Sequence, residues 1–567
     1  MKVSTYIARF LKEKGIDTIF VLQGGMIIRI VDDIYKQGGI RIISIHHEQA
    51  AAFAADAYAR IKNKPGVAMA TSGPGATNLI TGIGSCYFDS VPAIFITGQV
   101  NIDEQKGDNA TRQIGFQETD IVSIIKPITK VAYAITSSDE IPFVFENAYR
   151  ICMEGRPGPV LIDIPMNIQN QEISDSYEKM DKKIRQNENN KLTSDFLEKF
   201  NNTLKKSKRP LCLAGRGIMA ADVPDLFVDF IERYNLPVVT SLLAIDTIPY
   251  DHPNRVGFIG TYGNRWANYA LGGCDLLIVL GSRLDLRQTG ADVESFKQNK
   301  DIFHVDIDEV ELNNRIVGCT TLNVNLHDFF IQEQNSKRSF NRLENWFDEI
   351  RAKYLALPDT GELKNIKGIN PNSFIHLLAR ASHSAKVITT DVGNNQMWAA
   401  QSIELHQGQR FLSSGGMGSM GYSLPAAIGA AFALKNSPIV SISGDGGFQI
   451  NIQELQTIKR NNLPIKMVIL NNHCLGMIRQ FQDAYFDSCY QSTVWGYDSP
   501  DFEKVAKAYG IGACSINESD EINNGLSLLW ENPDLPFLLN VNIDIHTNVF
   551  PKMMFGSPIT IMEPKID

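Results

Sequence analysis

The chain has 567 residues, 44% of them hydrophobic and 21% charged, and carries a formal charge of −9 from 54 basic and 63 acidic side chains. That length exceeds one ordinary hydrophobic core and predicts three or four domains. There is no basic block and no apolar run of about 18 residues, which argues against nucleic-acid and membrane partners.

Met-Lys-Val-Ser-Thr-Tyr opens directly on an amphipathic helix rather than a leader. Eight scattered cysteines without a CxxC pair suggest a reducing cytoplasm and indicate neither zinc nor a disulfide framework. Residues 1–170 then alternate apolar strands (18–22, 67–70, 93–97, 160–164) with helical stretches, the pattern of a doubly wound sheet. Within this block the strand 41–45 feeds an alanine-rich helix, His46 to Arg60, whose neighbours must pack very close. Glu48 at its start reads, by itself, as a capping or dipole partner. The turn Thr71-Ser-Gly-Pro-Gly-Ala-Thr-Asn78 changes that reading, because its glycines and proline let backbone approach a flat ligand.

Polar residues 171–195 read as a surface linker. A second block, 195–340, includes Arg209-Pro-Leu-Cys-Leu-Ala-Gly-Arg-Gly and the strands 276–280 and 302–308; polar residues 355–370 form the next linker. A third block spans 371–545, and a tail, 546–567, closes the chain with three prolines. The expected fold class is α/β: three successive doubly wound, mostly parallel open sheets.

The third block carries the most informative motif. A β-branched strand runs into Gly444-Asp445-Gly446-Gly447, helical spacing follows over 452–461, and a second strand, 465–470, delivers Asn471-Asn472, the last 27 positions after the aspartate. Two strand ends at the carboxyl edge of a parallel sheet thus each offer an oxygen ligand. Asp445, the Asn472 side chain and the Cys474 carbonyl suit a hard cation such as Mg²⁺ beside a diphosphate.

His47-Glu48-Gln49, Ala70 to Asn78, Asp89-Ser-Val-Pro92, Ile96 to Val100, Gly115-Phe-Gln-Glu-Thr119, Gly155 to Val160, Asp391-Val-Gly393, Gly416 to Gly421 and Leu424 to Ala430 together resemble the thiamine-diphosphate-dependent enzymes, and within them the acetolactate synthase family. The resemblance implies pyrimidine-binding (1–170), central (195–340) and diphosphate-binding (371–545) domains. It implies a homodimer or homotetramer whose active sites lie at the subunit interface. Glu48 then bonds the aminopyrimidine and favours its imino form, which takes the C2 proton. Gln117, Phe116 and Gly25 line the reacting carbons, and Met420 wedges the cofactor into its bent shape. The remaining thiamine diphosphate positions are Pro74, Asn78, Gly393, Asn394, Asn395, Gly418, Gly444 to Gly447, Asn472, Cys474, Leu475, Gly476 and Met477, with Asp445, Asn472 and Cys474 holding the metal.

The same resemblance places FAD in the central domain on Gly215, Gly217, Ser241, Leu242, Gly260, Thr261, Tyr262, Gly281, Ser282, Arg283, Asp285, Arg287, Asp306, Ile307 and Asn325, with no net redox part in ligation. Arg287 falls on the residue that recognises the acceptor carboxylate. Five departures gather at the acceptor side. The usual Tyr-Pro-Gly-Gly-Ala is Leu22-Gln-Gly-Gly-Met26, an expected lysine is Met166, Met-His-Gly is Thr261-Tyr262-Gly263, a tryptophan is Phe481, and Gln-His is Asn394-Asn395. The expected activity is decarboxylation of pyruvate and transfer of its two-carbon acetyl unit to a second carbonyl compound. A 2-oxo acid is the first acceptor considered and a 4-keto-deoxysugar nucleotide the alternative. A pyruvate oxidase-like flavoenzyme and a non-catalytic binding protein complete the set of readings.

Overall fold

Apolar, β-branched runs too short for helices pair in parallel when helices join them, because a parallel crossover needs a dozen or more residues. In a computed structural model, which describes residues 1–173, 190–334, 340–364 and 366–565, these runs form three six-stranded parallel sheets. The first contains β1 (Thr18–Val21), β2 (Arg41–Ser44), β3 (Gly66–Ala70), β4 (Ala93–Gln99), β5 (Val131–Ala134) and β6 (Pro159–Pro165), ordered β2-β1-β3-β4-β6-β5. The second contains β7 (Pro210–Ala214), β8 (Val238–Thr240), β9 (Arg255–Phe258), β10 (Leu276–Leu280), β11 (Asp301–Asp306) and β12 (Thr320–Asn323), ordered β12-β11-β10-β7-β8-β9. The third contains β13 (Val387–Thr390), β14 (Arg410–Ser413), β15 (Ile439–Gly444), β16 (Ile465–Asn471), β17 (Gly512–Ile516) and β18 (Phe537–Asn542), ordered β14-β13-β15-β16-β18-β17. The expected α/β class with three open parallel sheets is what the chain adopts.

Counted within each sheet, the first and third share one strand order, while the second has the 3-2-1-4-5-6 order of dinucleotide-binding sheets. Central strands such as β3, β4, β10 and β16 are buried throughout, which is why they read as unbroken apolar runs.

The alanine-rich helix Glu48–Lys62 packs against Ser423–Ala433 of the third unit and joins the outer sheets into one core. Their approach is so close that a Cβ on Gly429 would lie 2.1 Å from the Ala54 carbonyl oxygen. Asp246 ties the middle unit to the third by bonding Arg410 at 2.8 Å.

One local expectation differs. The glycine turn expected after β15 is instead the start of a helix, Asp445–Ile450, in which Asp445 sits at the favourable first turn. The C-terminal tail folds against the middle unit. Lys552–Met553 and Met562–Glu563 form a small antiparallel pair, and Met553, Ile559 and Met562 are buried against the middle unit. Most of the first expected linker, residues 174–189, lies outside the described residues. Of the second, residues 358–362 are tied down: Asp359 and Glu362 are buried, and Glu362 pairs with both ends of the Arg265 fork at 2.8 Å.

Candidate active site at the sheet reversals

Where strand order reverses in an open parallel sheet, a crevice opens beyond the carboxyl ends of the strands. The reversals fall between β1 and β3, between β7 and β10, and between β13 and β15. The densest groups of candidate residues follow these strands.

In the first unit, Glu48 is 5% exposed, and its Oε2 accepts from Asn78 Nδ2 at 2.9 Å. Its Oε1 has no hydrogen-bond partner among the described residues and lies 3.2 Å from where a Cβ on Gly75 would stand. The His47 ring, accepting from Gln49 N at 3.1 Å, caps the helix and leaves Glu48 free of that task. Pro74 opens the short helix Pro74–Asn78. Gln117 adopts φ +67° and lies directly over Gly73, and Phe116 beside it is 79% exposed.

This loop is held from behind: Gln99 Nε2 donates to the Thr119 carbonyl at 2.8 Å and to Asp163 at 2.9 Å, and burial pushes Asp163 up to about 7. Gly25 opens a 3-10 turn. The Met26 carbonyl accepts from Gln169 Nε2 at 2.7 Å, and Gln169 lies in the short helix that Met166 begins, so those two departures share one corner.

In the third unit, Asp445, Asn472 and Cys474 converge. One terminal atom of the Asn472 amide stands 3.2 Å from Asp445 Oδ1 and 2.8 Å from the Cys474 carbonyl oxygen. With nitrogen there, it donates to both; with oxygen there, three oxygens face one another, the donor set of a hard cation. Among the described residues no cluster of three His, Cys, Asp or Glu offers a rival metal site.

Burial pushes Asp445 up to about 6, although the Tyr497 hydroxyl donates to its Oδ2 at 2.9 Å. A Cβ on Gly446 would meet Leu475 at 2.8 Å, Tyr497 at 3.1 Å and Met420 at 3.3 Å. A Cβ on Gly476 would meet the Asn394 and Asn472 amides at 2.5 Å, and Asn394 Oδ1 is buried without a partner. Asn395 Nδ2 donates to the Asp391 carbonyl at 2.7 Å, and Gly393, at φ +147°, precedes both asparagines. Gly447 backs onto Asp391, Met477 follows Gly476 in the helix Gly476–Tyr485, and Gly418 (φ +66°) faces open space. The two groups do not meet in one chain: among the described residues no hydrogen bond or ion pair joins Glu48, Asn78 or Gln117 to Asp445 or Asn472.

Sequence reading missed two residues here. Asp391 accepts from the amides of Val392, Gly421 and Ser423 at 2.9–3.0 Å, which binds the Gly393 turn to the Met420 turn. Its position at a strand end before Val-Gly was the available signal. Tyr497 lies in an unpatterned loop and gave none.

The middle crevice is a pocket lined by every proposed FAD residue except Gly215 and Asn325. Gly215 packs behind the wall on Gly281, and Asn325 caps the helix Leu326–Gln334. Phe88, Asp89 and Arg156 of the first unit and Met397, Gly415 and Gly416 of the third also line it. Asp306 is held up at about 6 by burial, and His304, bonded to the Ser282 carbonyl, is pushed down to about 4 and stays neutral. Arg287 and Tyr262 stand at one edge of the pocket. Tyr262 feels both the Arg287 guanidinium and Tyr485, whose ring packs on Phe481 with centroids 4.6 Å apart. The acceptor candidates therefore form two groups, Met26 with Met166 and Arg287 with Phe481.

Comparison with known proteins matches residues 1–124, 197–325 and 391–541 to the N-terminal TPP binding domain, the central domain and the C-terminal TPP binding domain described for thiamine pyrophosphate enzymes. The chain is 35% identical over 556 residues to the acetolactate synthase large subunit of Lactococcus lactis, covering 98% of this chain and 94% of that protein. It is 34% identical over 571 residues to the acetolactate synthase isozyme 2 large subunit of Escherichia coli, covering 100% of both. It is 37% identical over 567 residues to a probable acetolactate synthase large subunit of Methanocaldococcus jannaschii, covering 96% of this chain and 92% of that protein.

Proposed function

The chain belongs to the thiamine pyrophosphate enzyme family, and on that premise we propose that it is an acetolactate synthase-like carboligase that decarboxylates pyruvate and passes the acetyl unit to a 2-oxo acid. The observation that carries this reading is the full-length likeness to acetolactate synthase large subunits. Bound thiamine diphosphate supplies an electron sink for loss of the carboxylate and a nucleophilic carbon for ligation.

The side chains do the rest. Glu48, fixed by Asn78 and with Oε1 free, stands at the edge of the pyrimidine site, placed to hydrogen-bond the ring. Asp445, Asn472 and the Cys474 carbonyl hold Mg²⁺, with Gly444, Gly446, Gly447, Asn394 and Asn395 leaving room for phosphate oxygens. Met420 and Leu475 flank the space above Gly446 and fix a bound ring system against it. Gln117 and Phe116, held by the Gln99–Asp163 network, cover the reacting carbons and exclude water. In the middle crevice we assign FAD, for which the strand order and the lining residues are suited.

The two groups of site residues, separate in one chain, support a homodimer or a larger even assembly. So do the exposed apolar side chains around them: Phe116, Met417, Ile450, Ile478 and Phe481. No helix among the described residues is long and apolar enough to cross a membrane, and we place the enzyme in the cytoplasm. The departures at Met26, Met166, Tyr262 and Phe481 favour, as a second reading, a bulkier ketone such as a keto-sugar nucleotide in the acceptor position.

Incubation with pyruvate alone, then with candidate ketones, and identification of products by mass tests both. Acetolactate from pyruvate alone supports the first reading. A product formed only with the ketone supports the second, and unconsumed pyruvate overturns both.

A further inference from the structure

Arg216 lies between Gly215 and Gly217, just beyond β7. Gly215 N donates to the Leu280 carbonyl at 2.9 Å and Gly217 N to the Gly281 carbonyl at 3.0 Å. A Cβ on Gly215 would stand 2.1 Å from the Gly281 oxygen, and one on Gly217 would stand 2.7 Å from the Gly281 Cα. Both flanking positions are pressed against the turn after β10 and admit no side chain. The one side chain of the three is turned into the middle pocket, where Arg216 lines the wall with Gly217, Ser241, Gly281 and Ser282.

Its Nε is closed off from solvent and unpartnered, and no hydrogen bond or ion pair of its guanidinium exists among the described residues. The neighbouring arginines are all matched: Arg60 with Asp56 at 2.7 Å and Asp89 at 3.0 Å, Arg410 with Asp246 at 2.8 Å, and Arg156 with Glu311 at 2.6 Å. Asp89 is engaged elsewhere: beside Arg60, its oxygens accept from the Gly415 and Gly416 amides at 2.9 and 2.6 Å.

A guanidinium enclosed without a counter-charge is a net cost to the folded chain. Burial, with Arg60 and Arg410 nearby, outweighs the attraction of the already paired Asp246 and Asp56 and pushes Arg216 down to about 10, so it stays protonated at neutral pH with no direct anionic partner. Its planar fork suits two phosphate oxygens, and the crevice it faces, between β7 and β10, is where a dinucleotide's diphosphate bridge lies in a sheet of this order. Arg287, at another edge of the same pocket, remains free for a substrate carboxylate.

We propose that Arg216 is the anion anchor of the middle pocket, its fork taking the diphosphate of a bound dinucleotide. The proposal rests on the reading that this pocket takes FAD. It makes the pocket selective for a diphosphate-bearing ligand over the neutral flavin alone.

The test compares the full-length protein with R216Q and R216K, using FAD, riboflavin, ADP and inorganic pyrophosphate as probes in calorimetric titration, with thermal melting of each unliganded form. In R216Q, FAD and ADP affinity should fall about tenfold to a hundredfold, the loss of a charge-assisted hydrogen-bond pair, while riboflavin affinity is unchanged. R216K should recover part of the loss. Unliganded R216Q should melt no lower than the parent, because an unmatched charge has been removed.

R216Q that melts lower and binds FAD as well as the parent assigns Arg216 a structural role and overturns the proposal. Equal losses for riboflavin and FAD overturn it too. If the parent binds ADP and pyrophosphate but not FAD, the flavin reading falls while the anchor stands or falls with R216Q on those two probes. If the parent binds none of the four, both are wrong.

Discussion

Tyr497→Phe isolates the electrostatics of the proposed metal site with the least change in shape. The substitution removes one hydroxyl that donates to Asp445 Oδ2 at 2.9 Å. Burial beside Asp445 pushes the phenol itself upward, so it remains a proton donor across the working range. With this bond in place Asp445 titrates near 6, so at pH 7 about ten in eleven molecules carry the carboxylate that the cation needs. A hydrogen bond to a charged group is worth roughly 1.5–3 kcal/mol, or about one to two pH units of midpoint. Its loss should move Asp445 to between about 7 and 8 and leave from about one half to one in eleven ionised at pH 7. Mg²⁺ affinity in the presence of thiamine diphosphate should then fall about twofold to tenfold at pH 7 and return to the parental value by about pH 9. Calorimetric Mg²⁺ titrations of parent and variant from pH 5 to 9 read this directly, and phosphate titration of the cofactor cancels between the two profiles. Superimposable profiles would refute the reasoning, as would a loss in the variant that does not recover at high pH.

Two further outcomes concern stability. Gly429→Ala places a methyl 2.1 Å from the Ala54 carbonyl oxygen and 2.8 Å from two more backbone atoms of the facing helix. No side chain can yield there, so the helices must separate at a cost on the order of 3 kcal/mol, seen as a lower melting temperature and weaker cofactor retention. His376 lies 2.8 Å from Asp359 and 2.8 Å from Glu404, and those carboxylates raise it above the ordinary 6.5 despite burial, which opposes them. A raised folded-state value contributes stability that is fully present below about 6.5 and is lost as pH rises through the folded value, so the parent should lose more melting temperature than His376→Gln between pH 6 and pH 9.

The sequence made the sheets legible because their central strands are buried on both faces and appear as unbroken apolar runs, as in Leu276 to Leu280. Asp445 and Asn472 directly follow such runs and so lie at a sheet edge, whereas Glu48 follows the short, half-exposed strand Arg41–Ser44 and took its reading from the resemblance. The distribution of hydrogen bonds among loops left no such trace. Tyr497 reaches Asp445 across 52 positions, and nothing in the local pattern of its loop marks it as a partner. The docking of the tail left no trace either: Met553 and Ile559 find cover on a sheet some 260 positions earlier, a contact that no local pattern marks. The helix at Asp445 was placed late because glycines argue against helix, whereas here they serve close approach to Asp391, Met420 and Leu475.

The proposed two-chain site has its basis in the packing of one chain. The helix Glu48–Lys62 spends its apolar face on Ser423–Ala433 of its own chain, and the helix start is held by Glu454, which accepts from His46 N at 2.9 Å, and by Asn451, which donates to Gln49 at 3.1 Å. These contacts bring Glu48 to the far end of the segment that begins at Asp445, leaving both half-sites open and rimmed with exposed Phe116, Met417, Ile450 and Phe481. A two-fold axis would set each Glu48 half against a second chain's Asp445 half and close two sites at once. Glu48→Gln and Asp445→Asn should each abolish pyruvate consumption when expressed alone. Co-expressed in equal amounts, half of the dimers pair one variant with the other, and each of these carries one site with both residues intact and one with neither. About a quarter of parental activity should therefore return. Activity that stays at the level of the single variants in a purified mixed dimer would mean that each chain builds its own site, and the composite arrangement would be wrong.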